Sequence, residues 1–198
     1  PEDVLLTNAT GAYGLAISEH MVGMLFELQK NLNLYSRNQR EHVWKSEGHV
    51  RIIEGSRVLV IGLGDIGTAF AQKMKGLGCR TVGIKRSEAR KPEGVDDLYT
   101  LERLERQLPL ADIVALCLPG NQDTRHMLNE ERIGMLKNNA VVLNVGRGMT
   151  LDTDALTRAL KEGRIAGACL DVTDPEPLPS DHPLWDMENV ILTPHVSG

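Results

Sequence analysis

The sequence predicts an α/β fold, a doubly wound parallel sheet with helices on both of its faces. Three observations carry that expectation. From residue 57 onward, apolar runs of strand length alternate with stretches of helical spacing, and such alternation builds βαβ units with a mostly parallel sheet. The runs are β-branched and apolar enough to be strands buried on both faces. One unit, residues 57–71, reads as strand, glycine turn and helix: Val58-Leu59-Val60-Ile61, then Gly62-Leu63-Gly64-Asp65-Ile66-Gly67, then a helix with Ile66, Phe70, Met74 and Leu77 on one side.

Taken in order, Val4-Leu5-Leu6-Thr7 reads as a short strand leading into a loop with Asn8, Thr10, Gly11 and Gly14. Ile17, Met21, Met24, Leu25, Leu28 and Leu32 then recur at helical steps, with Ser18-Glu19-His20 near the first turn. A more polar helix is expected over residues 34–43, ending near Trp44. Neither helix belongs to a βαβ unit. Residues 1–50 are therefore expected to be a strand remnant and a helical arm, a dimerisation element, and residues 51–198 the sheet domain. The arm must bury its apolar side on its own domain or on another subunit. Within the domain, strands are expected over residues 58–61, 79–84, 95–99 (an edge), 112–118, 140–145, 165–172 and 190–192. Helices are expected over residues 101–108, 130–136 and 152–162, besides the one after the glycine turn, and residues 85–94 read as a charged loop. Asp123, Asp152 and Asp154 have the look of loop and helix-capping residues, with no metal-ligand company.

Composition narrows the function classes. The chain has 198 residues, long enough for a good core, and its net charge of −5 argues against a nucleic-acid or anionic-membrane surface. Cys79, Cys117 and Cys169 lie in or beside apolar strand-like runs without C-x-x-C spacing, and read as buried free thiols of a reducing compartment. No run is apolar enough to span a bilayer and no secretory signal precedes the chain, so the cytoplasm is the expected address. The chain starts at Pro1 and stops at Gly198 directly after an apolar run, so both ends are expected to be cuts in something longer.

The glycine turn points to a ligand. In G-x-G-x-x-G, Gly62 allows the tight turn, Gly64 lets the backbone approach a pyrophosphate, and Gly67 lets helix and strand pack closely. The free N–H groups of the helix N-terminus then face the anion, which is the chemistry of dinucleotide binding. Ligands of doubly wound sheets bind beyond the carboxyl ends of the strands. Three such exits carry polar groups: Gly146-Arg147-Gly148, Thr173-Asp174-Pro175-Glu176-Pro177 and Thr193-Pro194-His195. Each has a bland reading, as a solvated turn, an exposed loop carboxylate or a hydrogen-bonded structural histidine. Together on one edge they make a working set: a cation for a carboxylate, a carboxylate for a histidine, and a histidine to move a proton.

With those residues in hand, the chain resembles the D-isomer-specific 2-hydroxyacid dehydrogenases. The likeness rests on Ser18-Glu19-His20, the glycine loop, Ala111-Asp112, Leu118-Pro119, Thr124-Arg125-His126, Asn144 to Gly148, Leu170-Asp171-Val172, Glu176-Pro177 and Thr193-Pro194-His195. It implies a Rossmann domain whose cofactor lies along Gly62, Gly64, Asp65, Ile66, Gly67, Leu118, Pro119, Thr124, Val145 and Gly146. It implies that His195 is the acid/base at the substrate carbonyl and that Glu176 holds its imidazole in the protonated form. Arg147 would bind the substrate carboxylate, and Asp171 would accept from the nicotinamide carboxamide. NAD-preferring members carry an acidic residue where the second strand ends; here stand Lys85, Arg86 and Ser87, which suit a 2′-phosphate, so NADP is expected ahead of NAD. The alternative is that two basic side chains decorate an exposed turn.

The resemblance further implies a 2-keto acid or 2-hydroxy acid substrate, a homodimer, and a substrate domain largely absent from this chain, which should bind cofactor and turn over poorly. A rival from another class is a nucleotide-sensing scaffold like the corepressors of the same fold. Retention of Arg147, Glu176 and His195 together favours the enzyme.

Overall fold

The structure, a computed structural model, describes residues 11–198; the strand expected at Val4 to Thr7 lies outside the described residues. Among the described residues seven strands form one sheet: β1 (Arg57–Ile61), β2 (Arg80–Lys85), β3 (Asp97–Thr100), β4 (Ile113–Leu116), β5 (Val141–Asn144), β6 (Gly167–Leu170) and β7 (Val190–Leu192). All pair in parallel, in the order β3-β2-β1-β4-β5-β6-β7. This is the doubly wound Rossmann arrangement, and its switch point lies between β1 and β4.

Successive side chains of a strand go to opposite faces, so each strand serves two cores. Val58, Val60, Ile113, Ala115, Val141 and Leu143 line one face, where they meet α1 (Gly14–Gln29) and α3 (Asp65–Gly76). Leu59, Ile61, Val114, Leu116 and Val142 line the other, beneath α4 (Leu104–Gln107), α5 (Glu130–Gly134) and α6 (Thr153–Lys161). The helix predicted ahead of the domain thus buries its apolar side at home. Met21, Met24 and Leu25 of α1 pack with Phe70 and Met74 of α3 against the sheet, and Met21, Leu25 and Phe70 are fully buried. Each such side chain contributes roughly 1.5–3 kcal/mol of burial.

The helix expected to run to Leu32 stops at Gln29. Asn31 has φ 56°, a left-handed turn that asparagine tolerates, and α2 (Leu32–Arg40) starts in a new direction. The helix expected over 101–108 is cut to the single turn of α4 between two 3-10 turns, because Pro109 cannot donate a backbone bond. Ser18 to His20 fall in the second turn of α1 rather than the first. Strands expected to continue past Leu116, Asn144 and Leu170 end there, since the next backbone groups turn into the loops of the carboxyl edge. All three cysteines are free; burial pushes their thiols up, Cys117 to about 12.

Candidate active site

The glycine turn is forced by close approach. Gly62 has φ +95°, and a Cβ there would lie 2.6 Å from the Cys117 carbonyl oxygen. A Cβ on Gly67 would lie 2.0 Å from the Gly62 carbonyl oxygen, so helix α3 can sit this close to β1 only with glycine at that point. A Cβ on Gly64 would meet nothing within 4 Å, so the loop is open to solvent at the point where a pyrophosphate would rest. Among the described residues no side chain caps the N-terminus of α3, which leaves its first N–H groups for an anion. These features fit a dinucleotide. Asp65, expected among the cofactor contacts, accepts a 2.9 Å bond from the Gly14 N–H with its side chain and so ties the start of α1 to the glycine loop. Ile66 is half-buried in the core between α3 and the sheet.

The Gly62 N–H donates to the Ile84 carbonyl at 3.0 Å, which brings the end of β2 beside the loop. Lys85 follows directly, half-buried, with Arg86 and Ser87 exposed. The ion pairs nearby use other cations, Arg80 of β2 with Asp97 of β3 and Lys75 of α3 with Asp96 just ahead of β3.

Across the switch point, Gly146 packs on the backbone of Leu118, where a Cβ would lie 2.5 Å from its carbonyl oxygen. Val145 is buried, Leu118 is half-buried and Pro119 is exposed. Thr124 spends its hydroxyl on the Pro119 carbonyl at 2.7 Å and, with Asn121, closes a reciprocal cap around the 3-10 turn Gln122–Thr124. Arg147 is exposed; its guanidinium donates to the Gly146 carbonyl at 2.7 Å. Gly148 abuts Thr173, where a Cβ would lie 1.9 Å from the carbonyl oxygen, so the Arg147 turn and the loop of Glu176 are in contact.

At the next exit the His195 Nδ1 and Glu176 Oε1 atoms are 2.6 Å apart, both side chains about two-fifths exposed. A carboxylate only accepts, so Nδ1 carries the shared hydrogen and Nε2 is the nitrogen that can exchange a proton. His195 has φ 54°, an uncommon left-handed conformation for this residue. Asp171 holds it there. The Asp171 carbonyl accepts from the His195 N–H at 2.8 Å, and its carboxylate accepts from the N–H groups of Val196 and Ser197 at 3.0 and 3.1 Å and from the Thr193 hydroxyl. Asp171 is 1% exposed. Burial alone would raise its carboxyl pKa, but the donors from Ser197, Thr193 and Val196 outweigh it and hold the group below the ordinary value. Beside this pair lies a cavity of about 210 Å³ whose apolar wall includes Leu178, Trp185 and Leu192.

The expected residues therefore collect on one edge of one sheet. Sequence reasoning named Asn144 only as part of a motif and gave it no role; it is fully buried and accepts from the Gly146 N–H while donating to the Arg147 carbonyl at 3.1 Å. It also passed over Thr193 as a partner of Asp171. A polar residue at the last position of an otherwise apolar strand was the available signal for Asn144.

Residues 22–197 match the family model of the D-isomer specific 2-hydroxyacid dehydrogenase, NAD binding domain. A glyoxylate reductase of Korarchaeum cryptofilum is 35% identical over 98% of this chain, which spans 60% of that protein's length. A D-isomer specific 2-hydroxyacid dehydrogenase family protein from Aeromonas salmonicida superposes with a TM-score of 0.89 at 36% identity, covering 99% of this chain and 63% of the other. A D-isomer specific 2-hydroxyacid dehydrogenase from Xanthobacter autotrophicus, solved in complex with NADPH and MES, superposes with a TM-score of 0.86 at 35% identity, covering 99% of this chain and 81% of the other.

Proposed function

Since the chain belongs to the D-isomer specific 2-hydroxyacid dehydrogenase family, as its NAD(P)-binding domain, we propose that it serves an oxidoreductase that interconverts a 2-keto acid and a D-2-hydroxy acid, with NADP preferred to NAD. The observation that carries the reading is the 2.6 Å contact between His195 and Glu176 on the same sheet edge as the open glycine loop. A scaffold that only senses nucleotide would need the loop and leaves the paired histidine without a purpose.

The roles follow from the donors and acceptors. Gly62, Gly64 and Gly67 with the N-terminus of α3 would hold the pyrophosphate, Lys85, Arg86 and Ser87 a 2′-phosphate, and Asp171 the carboxamide. The nicotinamide, when bound, gives or takes the hydride. His195 Nε2 gives its proton to the carbonyl oxygen as the alcohol forms, while Glu176 keeps the ring oriented and stabilises the imidazolium. Arg147 pairs with the substrate carboxylate and draws charge from the carbonyl. Glyoxylate or hydroxypyruvate is the substrate we favour, in the cytoplasm, with this chain by itself binding cofactor and turning over little. The partner we propose is a second copy of the chain.

The test uses this domain within a polypeptide of its relatives' full length. His195→Ala is expected to lower kcat with glyoxylate or hydroxypyruvate by about 10²- to 10⁴-fold while leaving the NADPH Kd within twofold. Unchanged turnover would remove His195 from the mechanism.

A further inference from the structure

We propose that His20 is a positioning residue for the nicotinamide end of the site, acting through Thr193 on Asp171; the assignment rests on the cofactor reading above. His20 lies on α1, away from every strand exit, and its side chain is about a quarter exposed. Its Nε2 is 3.0 Å from the Thr193 hydroxyl oxygen and 3.8 Å from Asp171 Oδ1. Thr193 has one hydroxyl proton, and that proton goes to Asp171 Oδ1, because a carboxylate can only accept. The hydroxyl oxygen must then accept from His20, so Nε2 carries hydrogen. The result is a directed chain, His20 Nε2–H to Thr193 O–H to Asp171.

The chain ends at the carboxylate that organises the site. Asp171 Oδ1 accepts from Thr193 and Val196, and Oδ2 accepts from Ser197. Two oxygens offer about four lone-pair directions, so among the described residues Oδ2 has one without a partner, on a buried side chain at the wall of the cavity beside His195, where a carboxamide N–H would donate. His20 fixes the Thr193 rotamer that fills Oδ1 and so leaves the opening on Oδ2. Met24, one helical turn further along α1, reaches the same hydroxyl with its sulfur at 3.8 Å, and its buried side chain anchors that stretch of helix on the sheet. A helix remote in sequence thereby sets the geometry of the turn that carries His195.

The test compares ligands that differ only at the nicotinamide. NADPH and 2′-phospho-ADP-ribose, with NADH and ADP-ribose in parallel, are titrated against the wild-type chain, His20→Phe, His20→Gln and Thr193→Val. The expected result is a loss of about fivefold in NADPH and NADH affinity for His20→Phe and Thr193→Val, as one hydrogen bond warrants, with the two ribose ligands unmoved. His20→Gln, whose amide can still donate, should recover most of the loss, and the double variant should lose no more than either single one. Equal losses for all four ligands would mean that His20 only packs α1, and binding like wild type would mean that it does nothing; either overturns the assignment. A wild-type chain that binds NADPH no tighter than 2′-phospho-ADP-ribose, and NADH no tighter than ADP-ribose, overturns the nicotinamide reading as well. Thr193→Val reports on the same chain from its other end should His20→Phe fail to fold.

Discussion

At the scale of single residues, carboxylates do most of the positioning. Asp171 organises a turn, Asp65 joins two helix starts, Asp152 caps α6 by accepting from the Ala155 N–H at 2.9 Å, and Asp112 accepts from the Arg57 N–H at 2.8 Å and from Lys137 at 2.7 Å. For Asp171 and Asp112 burial alone would raise the carboxyl, but their hydrogen-bond donors outweigh it and hold both groups below the ordinary value, which makes the fold sensitive to acid. The largest effect falls on Asp96, whose pKa is lowered to about 2 by the Lys75 ammonium and by the N–H and hydroxyl of Thr81. An aspartate of the unfolded chain titrates near 3.9. Between about pH 4 and pH 2 the unfolded state therefore binds more protons than the folded one, and stability falls as pH falls through that window. Asp96→Asn is expected to flatten the pH dependence of the urea midpoint below about pH 4, with a lower midpoint at neutral pH. A midpoint that falls with acid as steeply as in the wild type would remove Asp96 from this account.

At the scale of elements, the exit of β2 carries the proposed preference for NADP. The Gly62 to Ile84 hydrogen bond fixes Lys85 next to the glycine turn, and the neighbouring ion pairs leave Lys85 and Arg86 to other partners. Charge-assisted hydrogen bonds contribute roughly 1.5–3 kcal/mol each, so one good bond to a 2′-phosphate gives tenfold preference or more. Lys85→Asp combined with Arg86→Ser is expected to weaken NADPH by at least about tenfold and to leave NADH unchanged or tighter, read by side-by-side titration. If both ligands keep their affinities, the basic pair is a solvated turn. The same scale shows why element ends were harder to read than their existence. Residues 165–172 are apolar almost throughout, but pairing stops at Leu170: the Asp171 N–H makes the last bond to β5, at the Asn144 carbonyl, and the Asp171 carbonyl accepts from His195 in the turn beyond β7.

At the scale of the whole molecule, α1 packs on the sheet, and this bears on where the proposed dimer contact would lie. Its buried side is covered by β6, β7 and α3, while Leu15 in its first turn and Tyr13 just ahead stay exposed, so a second copy would meet α1 there or use other apolar surface. The stretch after α2 offers it: Trp44 is fully exposed, and Val43, Val50 and Ile52 are 41%, 48% and 76% exposed. A homodimer by light scattering at micromolar concentration is expected, with Trp44→Asp plus Ile52→Asp giving a folded monomer. A wild-type monomer would count against the dimer, and a dimer that survives both substitutions would place its contact elsewhere.

The alternation of apolar runs and helical spacings was enough, with the glycine turn, to specify a doubly wound sheet and the edge on which Arg147, Glu176 and His195 emerge. That information is local: strand burial, turn chemistry and helix periodicity are written within about a dozen neighbouring residues. The sequence by itself determined the order of the elements and the types of group at their ends. Only tertiary structure decided that His20 meets Thr193, that Asp65 serves α1, and that α1 covers its own sheet, because each joins residues 51 to 173 positions apart. No local pattern marks such a partner; it is chosen by which face of the sheet has apolar surface left to cover.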